Sequence, residues 1–592
     1  MAYLKHIQED MKKQGIDYYV IPSSDYNMGE YVADYFALRE FVSGFTGSAG
    51  TLVIEPERAG LWTDSRYFLQ AENQLPANIE LHKLTNSENS TFISYIAQNI
   101  KPHSKIAFDA KCVSTVTGRK LLDIAEKNNS ALVVDCLIAD KYWQNRPAFP
   151  ANKPFILNEE ITGESVSSKF SFVKDVLADK KCDYMIVTKL DDIAYMLNMR
   201  GNDVTYNPVF YAFMLIKSET AGVRATLYIN PEKTDEAVRA YLADNNVEVK
   251  PYDAVYRDVL GMRNSTVLID DSSTNFMLFT NLSKTNKIVS ATSPVTIKKS
   301  IKNETELKLM KHFHKIDAVA MVKIMHYIKT NTGKENMSEI SVADKLEEFR
   351  RESPDFVDLS FETIAGYKDH GAIVHYSATP ETDYMLENSS MLLLDSGAQY
   401  MGATTDITRT IAIGEPTQEE KSDFTAVLKA HLSLGQAIFP EGTCGMQLDM
   451  FAKSRMWQNR LDFGHGTGHG VGAFLNVHEG PQNISPVYKK VFFKAGMVVS
   501  NEPGVYRAGK HGVRTENLVY VTKDEQNEFG DFLKFENLTL VPIDLDLVDR
   551  SMMNDEEIAC LNAYHKKVYD EISPLFDDEE LKTFLQNATR SI

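Results

Sequence analysis

Two stretches of this chain carry acids at spacings that could do metal chemistry. The first reads Met391-Leu-Leu-Leu-Asp395-Ser-Gly-Ala-Gln-Tyr-Met-Gly-Ala-Thr-Thr-Asp406-Ile-Thr-Arg-Thr410. An apolar run ends in an acid, a glycine-containing turn reverses the chain, and a second run opens on another acid. The second stretch reads Met497-Val-Val-Ser-Asn-Glu502-Pro-Gly504, passes Gly509 and Gly512, and returns as Val513-Arg514-Thr-Glu516-Asn-Leu-Val-Tyr520. Each reads as a hairpin that sets two carboxylates close together. Between them lies Gly464-His465-Gly-Thr-Gly-His469-Gly-Val-Gly472, where small residues let the backbone come close to something.

The chemistry follows from charge. Four carboxylates aimed at one pocket repel one another, and some take up protons unless cations are present. Two divalent ions balance the four negative charges, a hydroxide bridging them completes the site, and a neutral histidine can give a fifth ligand. Oxygen-rich ligation with one imidazole suits Mn(II) or Co(II). A structural zinc would want thiolates or several imidazoles, and none is spaced for that. Two metals held close together make a nucleophile from water and hold a developing oxyanion. One acid at a strand end is usually a solvated or capping residue; two acid pairs around one glycine- and histidine-rich run are poorly explained that way.

The elements that must position these residues are legible in outline, as a mixed α/β fold. Leu4, Ile7 and Met11 recur at helical spacing before Gly15. An apolar strand at residues 18–21 follows, then strands at 51–54 and 60–67. The plan of a buried strand, a polar turn and a helix occurs in QGIDYYVIPSSD and again in KCDYMIVTKLDDIAYMLNMRG, which predicts two related α/β domains. The proline-rich residues 145–154 read as the linker between them. A second boundary is expected near residues 293–300. After it, Asn303-Glu-Thr-Glu306 forms a capping box for a long helix striped by Leu309, Phe313, Ile316, Ala320, Ile324 and Ile328. The last fifty residues are acidic with a helical pattern. The expected domains are 1–147, 148–298 and 299–592.

These motifs resemble the pita-bread metallopeptidases, and among them the three-domain, cytosolic-type aminopeptidase P (Xaa-Pro aminopeptidase). The resemblance is dense over 394–400, 404–410, 464–472 with 476–481, 502–504 and 514–517. It is looser over Phe45-Thr-Gly-Ser-Ala-Gly50 and Leu61-Trp-Thr-Asp-Ser-Arg-Tyr67. It implies two creatinase-like N-terminal domains before a pita-bread catalytic domain. It implies that Asp395, Asp406, His469, Glu502 and Glu516 are metal ligands, with Asp406 and Glu516 bridging, Asp395 on one ion, and His469 with Glu502 on the other. The bridging hydroxide is then the nucleophile and Glu502 the proton shuttle. His465, His478 and His375, in Ile373-Val-His-Tyr376, are implied to bind substrate and stabilise the tetrahedral intermediate.

Arg514 stands two residues before Glu516, so strand alternation puts both on one face, where Arg514 orients ligands or binds the substrate's far end. Arg66 matches an arginine that in this family reaches toward substrate, and Tyr506 either contacts the site or packs. Asn501, Thr515 and the Arg507-Ala-Gly-Lys-His511 loop depart from the commonest family pattern, but no ligand is touched. The resemblance implies a homodimer, for which Phe451 and Trp457 are candidate contacts. It implies two metal ions, with Mn(II) expected and Co(II) or Zn(II) as alternatives.

The expected reaction is removal of the first residue from peptides with proline second. That bond is a tertiary amide without an N–H, on a ring of fixed φ, which ordinary aminopeptidases handle poorly. Rival readings are a prolidase-type dipeptidase on the same catalytic domain, a non-catalytic pita-bread binding module, and creatinase. The chain of 592 residues, with a doubled N-terminal part, argues against the first. The full ligand set argues against the other two. Composition narrows the partners: a net charge of −19 repels phosphate backbones and anionic lipid, which excludes nucleic acid and membrane as main partners. No apolar run nears the ~18 residues of a membrane span. Five scattered cysteines form no disulfide framework, and charges fill the start of the chain where a signal peptide needs apolar residues. A cytoplasmic location is expected.

Overall fold

The sequence repeat is a repeat of topology. In the computed structural model, which describes residues 2–85 and 87–592, two six-stranded sheets have the same strand order and directions. In the first, the central strand Tyr18–Pro22 pairs antiparallel with Thr51–Ile54 and parallel with Lys105–Ala107. Ala59–Thr63, Glu80–Lys83 and Ala131–Val133 complete it. In the second, Tyr184–Val187 holds the central place, antiparallel to Ala212–Glu219 and parallel to Thr266–Ile269. Val20 and Ile21 in one centre and Ile186 and Val187 in the other are buried, as strands covered on both faces must be. The strand expected over 60–67 stops at Thr63. Asp64 there accepts a hydrogen bond from Arg66 N–H and caps a 3₁₀ turn, Ser65–Tyr67, so the residue types that read as strand bend away instead.

Both sheets lie in one compact unit, Met1–Glu159 with Glu164–Ile297. A buried polar seam joins its halves. The Asn27 amide donates to the carbonyls of Thr188 (2.7 Å) and Ala212 (2.8 Å) and accepts from Tyr252 Oη (2.8 Å), while Tyr211 Oη donates to Asp25 (2.9 Å). A buried amide with every partner in place ties the halves in one register.

The second unit is Lys298–Ile592 with Glu160–Gly163. A helix, Pro294–Ser300, occupies the expected boundary. The capping box forms as read: Asn303 Oδ1 accepts from Glu306 N–H (2.9 Å) and Glu306 from Asn303 N–H (3.0 Å), opening the helix Glu304–Asn331. Its buried arc is wider than the apolar stripe. Met310, His314 and Asp317 are buried too, the last because Arg350 and Tyr400 Oη satisfy its carboxylate. Helices Asp555–Ile572 and Glu579–Ala588 close the chain. Among the described residues no helix is long and apolar enough to cross a membrane.

The two acid-bearing hairpins are bent, not plain. In the first, Met391–Ser396 pairs with Ile407–Ala412, ending at Asp395 opposite Thr408 and Ser396 opposite Ile407. The chain then enters a different sheet, where Ala398–Tyr400 pairs with Ala403–Thr404. In the second, Val498–Asn501 pairs with Asn517–Asn527, and beyond a break Gly504–Arg507 pairs with His511–Arg514. The breaks have local causes. A Cβ at Gly397 would lie 2.1 Å from the Thr405 carbonyl oxygen, and Pro503 has no N–H to continue a ladder. Asp406, Glu502 and Glu516 sit in the breaks and Asp395 two residues short of one. A carboxylate there faces the space where the strands part.

Asn303→Ala removes the cap and the amide's bond to the Thr162 carbonyl. At about 1–2 kcal/mol for such a cap, the unfolding midpoint of the C-terminal unit falls by about 2–4 °C in calorimetry; an unchanged midpoint contradicts the cap's role.

Candidate active site

The breaks of the two hairpins bring the acids to one place. Ligand atoms of Asp406, His469 and Glu516 lie within 4.8 Å of one another. His469 Nε2 is 3.4 Å from Asp406 Oδ2 and 3.4 Å from Glu502 Oε1. Asp395 joins through Arg514, whose Nη2 and Nε donate to Asp395 Oδ2 at 2.5 and 3.2 Å. Arg514 Nε also reaches Thr408 Oγ1 (3.1 Å), and that hydroxyl donates to Glu516 Oε2 (2.8 Å). Arginine and threonine thus fix two carboxylates while leaving an oxygen of each uncommitted.

His469 stands on the short strand Gly468–His469. Its Nδ1 donates to the Gly470 carbonyl (3.0 Å), which turns Nε2, the nitrogen open to a metal, toward the acids. The neighbouring glycines have a steric cause. A Cβ at Gly468 would lie 1.9 Å from the Ser500 carbonyl oxygen and one at Gly470 would lie 2.0 Å from that of Glu479. The thing closely approached is therefore the strand that leads to Glu502. Ser500 joins the two, accepting from His469 N–H (2.9 Å) and donating to Glu502 Oε1 (3.0 Å).

The protein's own charges strain this cluster. Two like charges about 4 Å apart repel by about 4 kcal/mol at an effective dielectric of 20. Burial, then the charges of Asp406, Glu502 and Asp395, push Glu516 well above the usual carboxylate range. Burial raises Asp395 to about 6 against the pull of Arg514. Burial would raise Glu502 too, but the charges of His469 and Arg514 beside it bring it below its ordinary value. Burial opposes charge on His469, yet its bond to Asp406 and the charge of Glu502 lift it to about 9. The shifts of Glu516 and His469 both favour holding a proton, the positive charge that the cluster lacks. The residues present fit a pair of divalent ions: four carboxylates, one correctly turned imidazole, and Asp395 Oδ1, buried without a hydrogen-bond partner.

Known proteins give the same picture. The model of metallopeptidase family M24 matches residues 308–523 and that of its C-terminal region residues 531–592. Models of the creatinase/prolidase N-terminal domain match residues 4–137 and 145–306. Aminopeptidase P2 of Arabidopsis thaliana is 38% identical, covering 98% of this chain and 86% of its own. The chain belongs to metallopeptidase family M24, with the Xaa-Pro aminopeptidases P. The crystal structure of X-prolyl aminopeptidase from Caenorhabditis elegans, described as a cytosolic enzyme with a di-nuclear active site, matches at a TM-score of 0.93. It is 33% identical and covers 98% of this chain and 95% of that one. The Xaa-Pro dipeptidase of Bacillus anthracis shares the fold at a TM-score of 0.52 and 24% identity, over 64% of this chain and 99% of its own.

Around the acids of this M24 site stand the histidines. The ring of His478 meets that of His469 edge to face at 4.3 Å. His465 Nδ1 donates to the Gly466 carbonyl (2.8 Å), so Nε2 accepts from Tyr506 Oη (2.8 Å), and Tyr506 in turn accepts from Arg514 Nη1 (2.7 Å). Tyr506 therefore belongs to the site, linking His465 to the arginine that holds Asp395. Burial brings His465 down to about 4 and lifts Tyr506 to about 12, so both are neutral at pH 7. His375 is half-buried, and the carbonyl of the preceding Val374 accepts from Arg514 Nη2 (3.4 Å). Arg66 lies in the N-terminal unit, where Asp64 holds its guanidinium through two bonds of 2.8 Å.

Several supporting residues escape a reading of motifs. Glu479 follows His478 and is buried between Lys299 (2.9 Å) and Lys302 (3.2 Å). Lys299 stands in the last turn of helix Pro294–Ser300 and Lys302 just beyond it. Ser500 and Thr408 carry a weak signal, each two residues from a ligand or its neighbour on the same strand face. Asn501 is fully buried; its amide donates to the His431 carbonyl (2.9 Å) and its own carbonyl faces His431 Nδ1 (3.1 Å). The Arg507–His511 loop is tied to helix Gln418–Gly435, with Arg507 and His511 both on Asp423.

At pH 7 a binding divalent ion must displace the proton of His469, which titrates near 9. Titration of Mn(II) in buffers of different ionisation heat should therefore show release of about one proton or more, with affinity falling as pH drops from 9 to 6. Binding without proton release contradicts this charge assignment.

Proposed function

We propose that this protein is a dinuclear metalloaminopeptidase that hydrolyses the bond between the first residue and proline in Xaa-Pro peptides. The observation that carries the reading is the convergence of Asp406, His469 and Glu516 within 4.8 Å, joined by Asp395 and Glu502, in a chain of the aminopeptidase P family. Two divalent cations, Mn(II) before Co(II) or Zn(II), would supply an electrophile and lower the pKa of an attacking water toward neutral pH. Asp395, Asp406, His469, Glu502 and Glu516 would hold the pair, with Asp406 and Glu516 the acids that would be shared between the ions.

The chain's own groups do the rest. Glu502 is held ionised and takes the proton from the attacking water, then returns it to the leaving proline nitrogen. Proline's nitrogen lacks a hydrogen, so this delivered proton is what lets the leaving group depart as an amine. His375, His465 and His478 surround the reacting carbonyl and steady the tetrahedral oxyanion. Arg514 orients Asp395 and Thr408, and Tyr506 sets which nitrogen of His465 bears the proton. Arg66 is assigned to the far end of longer peptides on the family resemblance. The fold shared with Xaa-Pro dipeptidase covers less of this chain than the aminopeptidase fold does, which favours longer substrates over dipeptides.

The protein is read as cytosolic, like the C. elegans enzyme as described, and its five cysteines are free thiols. A homodimer is supported by the exposed apolar side chains Met446, Met450, Phe451 and Trp457 on helix Gly445–Gln458. Light scattering at twice the monomer mass is the expected result.

Mn-loaded protein should release the first residue of Xaa-Pro-Xaa tripeptides far faster than that of Xaa-Ala-Xaa peptides, and faster than it splits Xaa-Pro dipeptides. Equal rates on the alanine peptides contradict the specificity. Asp406→Ala should lose both metal and turnover. Tyr506→Phe keeps the metal but loses about ten- to hundredfold in kcat/KM, the worth of one hydrogen bond from a charged group at about 1.5–3 kcal/mol.

A further inference from the structure

Glu339 is the first residue of helix Glu339–Arg350 and is fully buried, far in sequence from every motif discussed so far. Its carboxylate is the meeting point of one segment, 367–384. Tyr367 N–H donates to Oε1 at 2.7 Å, and His370 Nδ1 lies 3.0 Å from both oxygens. Tyr376 Oη and Tyr384 N–H each donate to Oε2 at 2.9 Å. The ring of His370 is stacked between those of Tyr376 (4.4 Å) and Tyr384 (3.6 Å). The helix N-terminus favours a negative charge at this position.

The clamped segment has little structure of its own. After the 3₁₀ turn Lys368–Ala372 the chain forms neither helix nor strand until Met391–Ser396. Such a backbone lacks a ladder to satisfy it, so side chains must supply the order. His375 lies in this stretch, directly before Tyr376, whose hydroxyl Glu339 holds. On its other side the Val374 carbonyl is reached by Arg514, which grips Asp395. Glycines bring the pieces together: a Cβ at Gly512 would lie 1.7 Å from the Gly371 carbonyl oxygen.

We propose that Glu339 is a positioning residue which, by gathering the segment 367–384 around its carboxylate, fixes His375 against the carboxylate cluster. The proposal rests on the aminopeptidase reading for its kinetic consequences, but not for its structural one. Glu339 touches no ligand; it acts through His375.

The test compares wild type, Glu339→Gln, Tyr376→Phe, His375→Ala and the double variant Glu339→Gln/His375→Ala. The readouts are bound Mn(II), kcat/KM on an Xaa-Pro tripeptide, and amide hydrogen exchange. The amide in Glu339→Gln turns an N–H₂ toward donors. Exchange over 367–384 should rise while residues 391–412 and 498–520 stay protected, and metal content should not change. Activity should fall by up to about a hundredfold, the cost of about 1 Å of misplacement, and the double variant should be no slower than His375→Ala. Tyr376→Phe should give the same pattern in milder form, and carries the test should Glu339→Gln not fold. Additive losses, or unchanged exchange over 367–384, overturn the proposal. Wild-type protein that leaves Xaa-Pro peptides intact overturns the aminopeptidase reading instead, and the exchange result then still decides the clamp.

Discussion

The arrangement of the C-terminal unit answers one constraint: carboxylates buried beside one another cannot all be charged without positive charge among them. Arg514 meets part of that demand at Asp395. The remainder falls on His469 and Glu516, both of which the cluster pushes toward holding a proton. A site of this kind is built for cations, and its shape follows from the same need. The hairpins must part where the acids stand, so that four side chains from different strands face one space. Gly397 and Pro503 cause that parting, one by close approach and the other by its missing N–H.

A second layer of polar contacts holds what the carboxylates do not. Hydrogen bonds run from Asp395 through Arg514 and Tyr506 to His465, and from Glu502 through Ser500 to the His469 backbone. The segments carrying His375 and His478 each have their own buried acid, Glu339 and Glu479. Glu339 and Glu479 are themselves buried, so their charges are screened little and their hydrogen bonds are stiff. Histidines placed on irregular backbone are thereby held nearly as firmly as side chains on strands.

Much of this was legible in the sequence. The repeated strand-turn-helix plan announced two sheets of one topology, because buried strands advertise themselves as apolar runs. Asp395, Asp406, His469, Glu502 and Glu516 stood out because acids after apolar runs, around a glycine-rich histidine loop, have few other uses. The bends of the hairpins were hidden: a strand that changes sheet keeps its alternation, so Ala398–Tyr400 reads as a continuation of Met391–Ser396. The strand over 60–67 was read too long because Asp64 looks the same as a strand residue or as a cap. Glu339, Lys299 and Lys302 were invisible for another reason. Charged residues near helix ends are the commonest surface pattern there is, and only tertiary contact distinguishes the buried ones.

The central claim is that two cations sit where the hairpins part, and anomalous diffraction from crystals grown with Mn(II) tests it most directly. The account predicts two peaks between Asp395, Asp406, His469, Glu502 and Glu516, with Asp406 and Glu516 touching both. A single peak, or density away from these five side chains, would contradict it.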